Sequence, residues 1–179
     1  LDAYRKRITD NTDLVLITAM THREGQIMPV KEICSLAKSK GALVLVDAAH
    51  ALGQYKHSVK EWDCDFYCSS LHKWMGGPLG TGLLYIKHPL IEKVRGSYGL
   101  SESDYNKMAK FESVGTKSFA LDASVLSSLN YHQLIGAQQK HLRLKKLTEH
   151  WVQGLSTLLR VRTHIAPNYG AIGCFSIEG

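Results

Sequence analysis

A chain of 179 residues, 44% apolar and 21% charged, has ordinary globular composition and enough material for a sizeable core. Much of its net charge of +6 comes from KHLRLKK (140–146) and YRKR (4–7), which read as solvated helix faces; no recognition motif accompanies them, so nucleic-acid binding is not expected. No run approaches the ~20 apolar residues of a membrane span and LDAYRKRITDNTD is no signal peptide, while Cys34, Cys64, Cys68 and Cys174, without CxxC pairing, suggest reduced thiols and a cytoplasmic setting.

Strand and helix signals alternate along the first half. DLVLITAM (13–20) is a short β-rich apolar run. PVKEICSLAKSKG (29–41) opens on proline and closes on glycine, the asymmetry of a helix, with Ile33, Leu36 and Ala37 at i, i+3, i+4 spacing. ALVLVDAAH (42–50) is a nearly unbroken apolar run ending in a carboxylate, the pattern of a strand buried on both faces of a parallel sheet. CDFYCSS (64–70) and GLLYIK (82–87) are two further strand candidates. Together they predict a three-layer α/β/α architecture around a mostly parallel sheet. Beyond residue 88 the sequence turns to polar loop, then to helices over about 120–135 and 137–160. The second of these carries Leu144, Leu147, Trp151, Leu155 and Leu158 on one stripe. GAIGCFSIEG begins as a strand with no partner evident, which reads as a chain cut inside a second domain.

Ligands of an open α/β sheet bind beyond the carboxyl ends of its strands. Asp47 closes the most hydrophobic strand and SSLHK (69–73) lies just past the end of the next, so the two segments meet at one crevice. A lysine amine attacks carbonyls when desolvation or nearby positive charge frees its lone pair. An aspartate can hold a proton on a pyridine nitrogen, and hydroxyls with a histidine can hold a phosphate. These are the parts of a pyridoxal phosphate site. The alternative from spacing alone is that Asp47 caps a turn and Lys73 is solvated.

LVLVDAAHALGQ, followed by DFYCSSLHKWMGGPLGTGLLYIK and then FESVGTKSF (111–119), resembles the class V aminotransferase family, of fold type I of the pyridoxal-phosphate enzymes. The likeness is strongest to its isopenicillin-N-epimerase-like branch, with the cysteine desulfurases and selenocysteine lyases as relatives. THREGQIMPVKEI (21–33) looks like the family segment before the aspartate strand. The resemblance implies that Lys73 forms the Schiff base with the cofactor aldehyde and moves the proton at the substrate α-carbon. It implies that Asp47 pairs with the pyridinium nitrogen, that His50 bonds the phenolic oxygen, and that Ser70 and His72 bind the phosphate. Thr116 would reach the phosphate of a neighbouring subunit, which makes a homodimer with a shared site. Residues 1–136 would belong to the cofactor-binding large domain, without its N-terminal portion. Residues 137–179 would be a linking helix and the start of a small C-terminal domain.

The implied activity is on an amino-acid substrate, aminotransferase- or epimerase-like, with cysteine desulfuration or C–S lysis as the alternative. A non-catalytic module that keeps the fold is a third reading, weakened by the intact Asp47, Ser70, His72 and Lys73. The family's phosphate loop and ring-stacking residue would precede this stretch, and its substrate-carboxylate arginine and desulfurase cysteine would follow it; Cys174 stands too early for that role. Two positions depart from the family. His22 stands where desulfurases have asparagine, and Leu71 replaces a small residue. Trp74 and the Gly76-Gly77-Pro78 turn read as packing elements. His57, His88, His132, His141, His150 and His164 lack metal-ligand spacing and read as surface or packing residues, so no metal site is expected.

Overall fold

The computed structural model describes residues 1–96, 105–112, 115, 116 and 118–178. After a short helix α1 (Asp2–Arg7), strand β1 (Leu14–Thr18) leads through α2 (Val30–Ser39) to β2 (Leu43–Asp47). A one-turn helix α3 (Val59–Trp62) precedes β3 (Phe66–Ser70), and β4 (Gly82–Ile86) follows it. These strands form one sheet in the order β1-β2-β3-β4. The first three are parallel, and β4 returns antiparallel to β3. Short 3-10 turns at His88–Leu90 and Met108–Phe111 lead to α4 (Phe119–Ile135) and α5 (Ala137–Ser156). The chain ends in a two-stranded antiparallel sheet, β5 (Val161–His164) with β6 (Cys174–Ile177). The polar loop expected over 97–104 lies outside the described residues, as do positions 113, 114 and 117 of the FESVGTKSF motif.

The helix signal over 29–41 resolves into α2 with a defined stop. Lys40 and Gly41 close it in a Schellman arrangement: the Ala42 amide donates to the Ala37 carbonyl and the Gly41 amide to that of Lys38, both at 3.0 Å. Gly41 takes φ +79°, where a side chain would be strained. The helix turns Val30, Ile33, Cys34 and Ala37 inward. They pack with Val15, Ile17, Val44, Val46 and Tyr67 from one face of the sheet in a single core. Each fully buried aliphatic side chain there contributes about 1.5–3 kcal/mol. Asp65 fixes where β3 begins: its carboxylate accepts the Val44 amide at 2.9 Å, and its own amide donates to the Val44 carbonyl at 3.1 Å.

The α/β architecture with a mostly parallel sheet is the one expected, and its two faces differ. The apolar run predicts β2 buried on both faces, yet β1 and β2 alternate. Leu14, Leu16 and Leu43, on the face away from α2, are 50%, 62% and 37% exposed. Among the described residues the second helical layer does not cover this strip.

Three further expectations are corrected. The final strand has a partner: β6 pairs with β5, from Val161↔Ile177 to His164↔Cys174. Helix α5 ends at Ser156, so Leu158 falls beyond it. The stripe on α5 is displaced, with Leu147 exposed and Thr148 the buried residue. Cys34 and Cys64 are free and buried, and burial pushes their thiols up to about 12 and about 11. Among the described residues no helix is long and apolar enough to cross a membrane.

Candidate active site

Asp47 is the last residue of β2, and its side chain lies on the sheet face opposite the core. The Ala49 amide donates to its Oδ1 at 2.9 Å, which fixes the carboxylate at the strand end. The chain then turns sharply, with the Leu52 and Ala51 amides both donating to the Ala48 carbonyl at 2.9 Å. That turn folds His50 back toward the neighbouring loop. The adjacent strand β3 ends at Ser70, and Ser69 Oγ donates to the Ala48 carbonyl at 3.2 Å, binding the two strand ends together.

Lys73 stands in the loop from β3 to β4. Leu71 anchors this loop: its side chain is buried, its amide donates to Thr81 at 3.1 Å, and its carbonyl accepts from Gly77 at 2.8 Å. The leucine in place of a small residue therefore has a structural task. A cavity of about 640 Å³ opens beside the strand ends, with Asp47, Cys68, Ser70 and Lys73 on the sheet side and Met108 and Phe111 across from them. Carboxylate, hydroxyl and amine thus share one space, although they come from two strand ends and a loop.

His50 joins this group through Lys73, its Nε2 lying 3.3 Å from Lys73 Nζ. The Trp74 indole Nε1 donates to His50 Nδ1 at 3.4 Å. The imidazole pKa is lowered, first by burial and then by the neighbouring Lys73 and His22, while Asp47 opposes the shift. His50 is therefore held neutral over a wider pH range than a free histidine. His22 lies alongside, its ring centroid 6.5 Å from that of His50 and the planes 28° apart.

The remaining candidates are not part of the cluster. His72 and Thr116 are both exposed, and neither lines the cavity. His57 takes a packing role: its ring stacks on Trp62 at 4.5 Å, Nδ1 bonds the Tyr55 carbonyl at 3.0 Å, and Nε2 bonds Tyr67 Oη at 2.9 Å. Among the described residues no group of three or more His, Cys, Asp or Glu side chains could hold a metal ion.

Sequence reasoning missed a second ring of residues behind Lys73. His132 Nε2 lies 2.9 Å from the Trp74 carbonyl, Lys140 Nζ donates to the same oxygen, and Ser128 Oγ donates to the Gly76 carbonyl at 3.1 Å. Burial lowers the pKa of Lys140, and burial together with Lys140 lowers that of His132. These residues lie on α4 and α5, 52 to 66 positions beyond the carbonyls they hold. No local motif marks them.

Known proteins share this fold. A cysteine desulfurase of Synechococcus elongatus is 32% identical over 190 residues, a match covering 100% of this chain and 30% of that protein. The crystal structure of the Escherichia coli cysteine desulfurase CsdA superposes with a TM-score of 0.83 at 20% identity, over 98% of this chain and 46% of that one. The cystine C–S lyase C-DES, in complex with its reaction product cysteine persulfide, gives 0.82 at 22% identity, over 98% and 50%. The chain thus spans about a third to a half of the length of the proteins it matches. A family model described as aminotransferase class V matches from residue 1 to residue 179, and the chain belongs to that family.

Proposed function

We propose that this chain carries the cofactor-binding centre of a pyridoxal-phosphate-dependent enzyme that acts on an amino acid. The observation that carries the reading is the common cavity of Asp47, Ser70 and Lys73. Its donor set fits the cofactor: a carboxylate for a ring nitrogen, an amine for an aldehyde, and a hydroxyl for a phosphate oxygen. When bound, pyridoxal phosphate supplies an electron-poor ring that accepts charge from the substrate α-carbon.

Each residue then has a defined task. Asp47, oriented by the Ala49 amide, keeps a proton on the ring nitrogen. Lys73 would hold the aldehyde end of the cofactor, and its amine would serve as the base and acid for the proton at the substrate α-carbon. His50 hydrogen-bonds the phenolic oxygen, and Ser70 binds the phosphate. His72 and Thr116 enter through the family resemblance. An exposed Thr116 suits a residue that reaches the phosphate of a second subunit, and hence a homodimer.

The favoured substrate is a sulfur-containing amino acid such as cysteine, because the matched relatives are cysteine desulfurases and a cystine C–S lyase. The aminotransferase or epimerase reading rests on the likeness to the isopenicillin-N-epimerase-like branch and uses the same residues up to proton abstraction. Borohydride reduction of the full-length protein with pyridoxal phosphate tests the core of the proposal. It should leave a phosphopyridoxyl mass on the peptide containing Lys73 and none in Lys73→Ala; a label at another lysine, or none, would remove the reading. Incubation with cysteine then separates the branches by product: alanine with persulfide or sulfide for desulfuration, pyruvate with ammonia and sulfide for C–S lysis, a sulfur-bearing keto acid for transamination, and D-cysteine for epimerisation.

A further inference from the structure

Trp74 connects the lysine loop to His50 in a way that the packing role assigned from sequence does not explain. Its indole Nε1 donates to His50 Nδ1 at 3.4 Å, and the other nitrogen of that ring lies 3.3 Å from Lys73 Nζ. The backbone of Trp74 is held from two sides. Its carbonyl is engaged by His132 and Lys140. Across from them, Gly53 at φ +80° lies so close that a Cβ there would stand 2.8 Å from the Trp74 carbonyl carbon and oxygen. The indole therefore starts from a fixed origin.

An indole N–H only donates, so the nitrogen it meets must offer a lone pair. A neutral imidazole has one N–H, and with Nδ1 accepting, that hydrogen belongs to Nε2. We propose that Trp74 is a positioning residue whose indole N–H holds His50 as the Nε2–H tautomer, so that a neutral imidazole presents a hydrogen-bond donor on the Lys73 side of the cavity. In this form His50 can engage the lone pair of a nucleophilic nitrogen at Lys73, or an anionic ring oxygen. The opposite tautomer would present a lone pair there, which repels an anionic ring oxygen but can accept from Lys73, so the indole N–H is what selects between the two forms. The charged and titratable groups facing the imidazole are Lys73, His22 and Asp47; the first two reinforce the neutral state and Asp47 opposes it.

The consequence for catalysis rests on the pyridoxal-phosphate reading, whereas the tautomer can be read without the cofactor. The test uses the full-length protein labelled with ¹⁵N-histidine, His50 being assigned through His50→Asn. In the cofactor-free protein Nε2 should show the shift of a protonated nitrogen and Nδ1 that of a hydrogen-bonded acceptor. Trp74→Phe should move the Nδ1 shift to that of a free acceptor. It should also raise the His50 midpoint by about one pH unit, the size of one ordinary hydrogen bond. β-(3-Benzothienyl)alanine at position 74 keeps the indole shape without the N–H and should give the same result if Trp74→Phe does not fold. In the loaded protein, Trp74→Phe should shift the pH midpoint of the cofactor's visible band, and that shift should vanish in a His50→Ala background. Unchanged nitrogen shifts and midpoint in a folded variant would overturn the proposal, as would an equal band shift with and without His50. Failure of the parent to bind pyridoxal phosphate would instead count against the proposed function, with the cofactor-free titration still deciding this point.

Discussion

Asp47 holds its position with one backbone hydrogen bond, from the Ala49 amide to Oδ1. An asparagine could accept the same bond, which makes Asp47→Asn a clean test of charge without loss of shape. The variant is expected to keep its melting temperature and lose turnover by at least about a hundredfold, the scale of removing one preorganised electrostatic contact. Steady-state assay beside thermal melting checks both halves. His57 makes a different kind of prediction. Burial lowers its pKa, with its bond to the Tyr55 carbonyl opposing. The unfolded chain therefore takes up a proton near pH ~6.5, where the folded chain does not. The stability this neutral ring contributes is complete above that value and is lost as pH falls toward the lower folded pKa. Urea midpoints between pH 8 and 5 should decline less steeply in His57→Gln than in the parent. At this scale the shared cavity of Asp47 and Lys73 was legible in sequence because Asp47 closes β2 and Lys73 follows shortly after the end of β3. Trp74 was not, since its meaning depends on a histidine 24 positions earlier and a clamp more than 50 positions later.

Strands β1 to β4 were legible because apolar runs of strand length stand between turn residues. The alternation within them was not, because leucine and valine read alike in a run. Ile17 is fully buried against α2, whereas Leu16 beside it faces the open side. Ile17→Ala should therefore cost about 2–5 kcal/mol and Leu16→Ala within about 0.5 kcal/mol, measured on the chain by itself from denaturant midpoints. Strand β5 escaped detection because VRTH is short and half polar; its pairing with β6, and not its composition, makes it a strand. The end of α5 was placed late because Leu158 continues the helical spacing beyond the last helical residue, Ser156.

Over the whole molecule, the sheet divides the chain into a packed side and an apolar open side. Leu14 pairs with Leu43 and Leu16 with Leu45, so the exposed leucines form one continuous strip. Contiguous apolar surface of this kind binds dye or partner. The chain produced alone should give strong anilinonaphthalene-sulfonate fluorescence, reduced in a Leu16→Lys, Leu43→Lys variant with unchanged far-ultraviolet dichroism. Undiminished fluorescence would locate the dye elsewhere. The proposed site residues Asp47 and Ser70 border this open side, at the carboxyl ends of β2 and β3, while the packed side supplies the rigid frame.

The antiparallel turn of β4 has one more effect. Ser70 pairs directly with Gly82, so the segment bearing Lys73 leaves and rejoins the sheet on the same rung. Residues 71–81 thus form a closed cassette on an unchanged frame. Its sequence can therefore change without altering the order of the strands beneath it, provided the contacts that α4 and α5 make to the Trp74 and Gly76 carbonyls are kept.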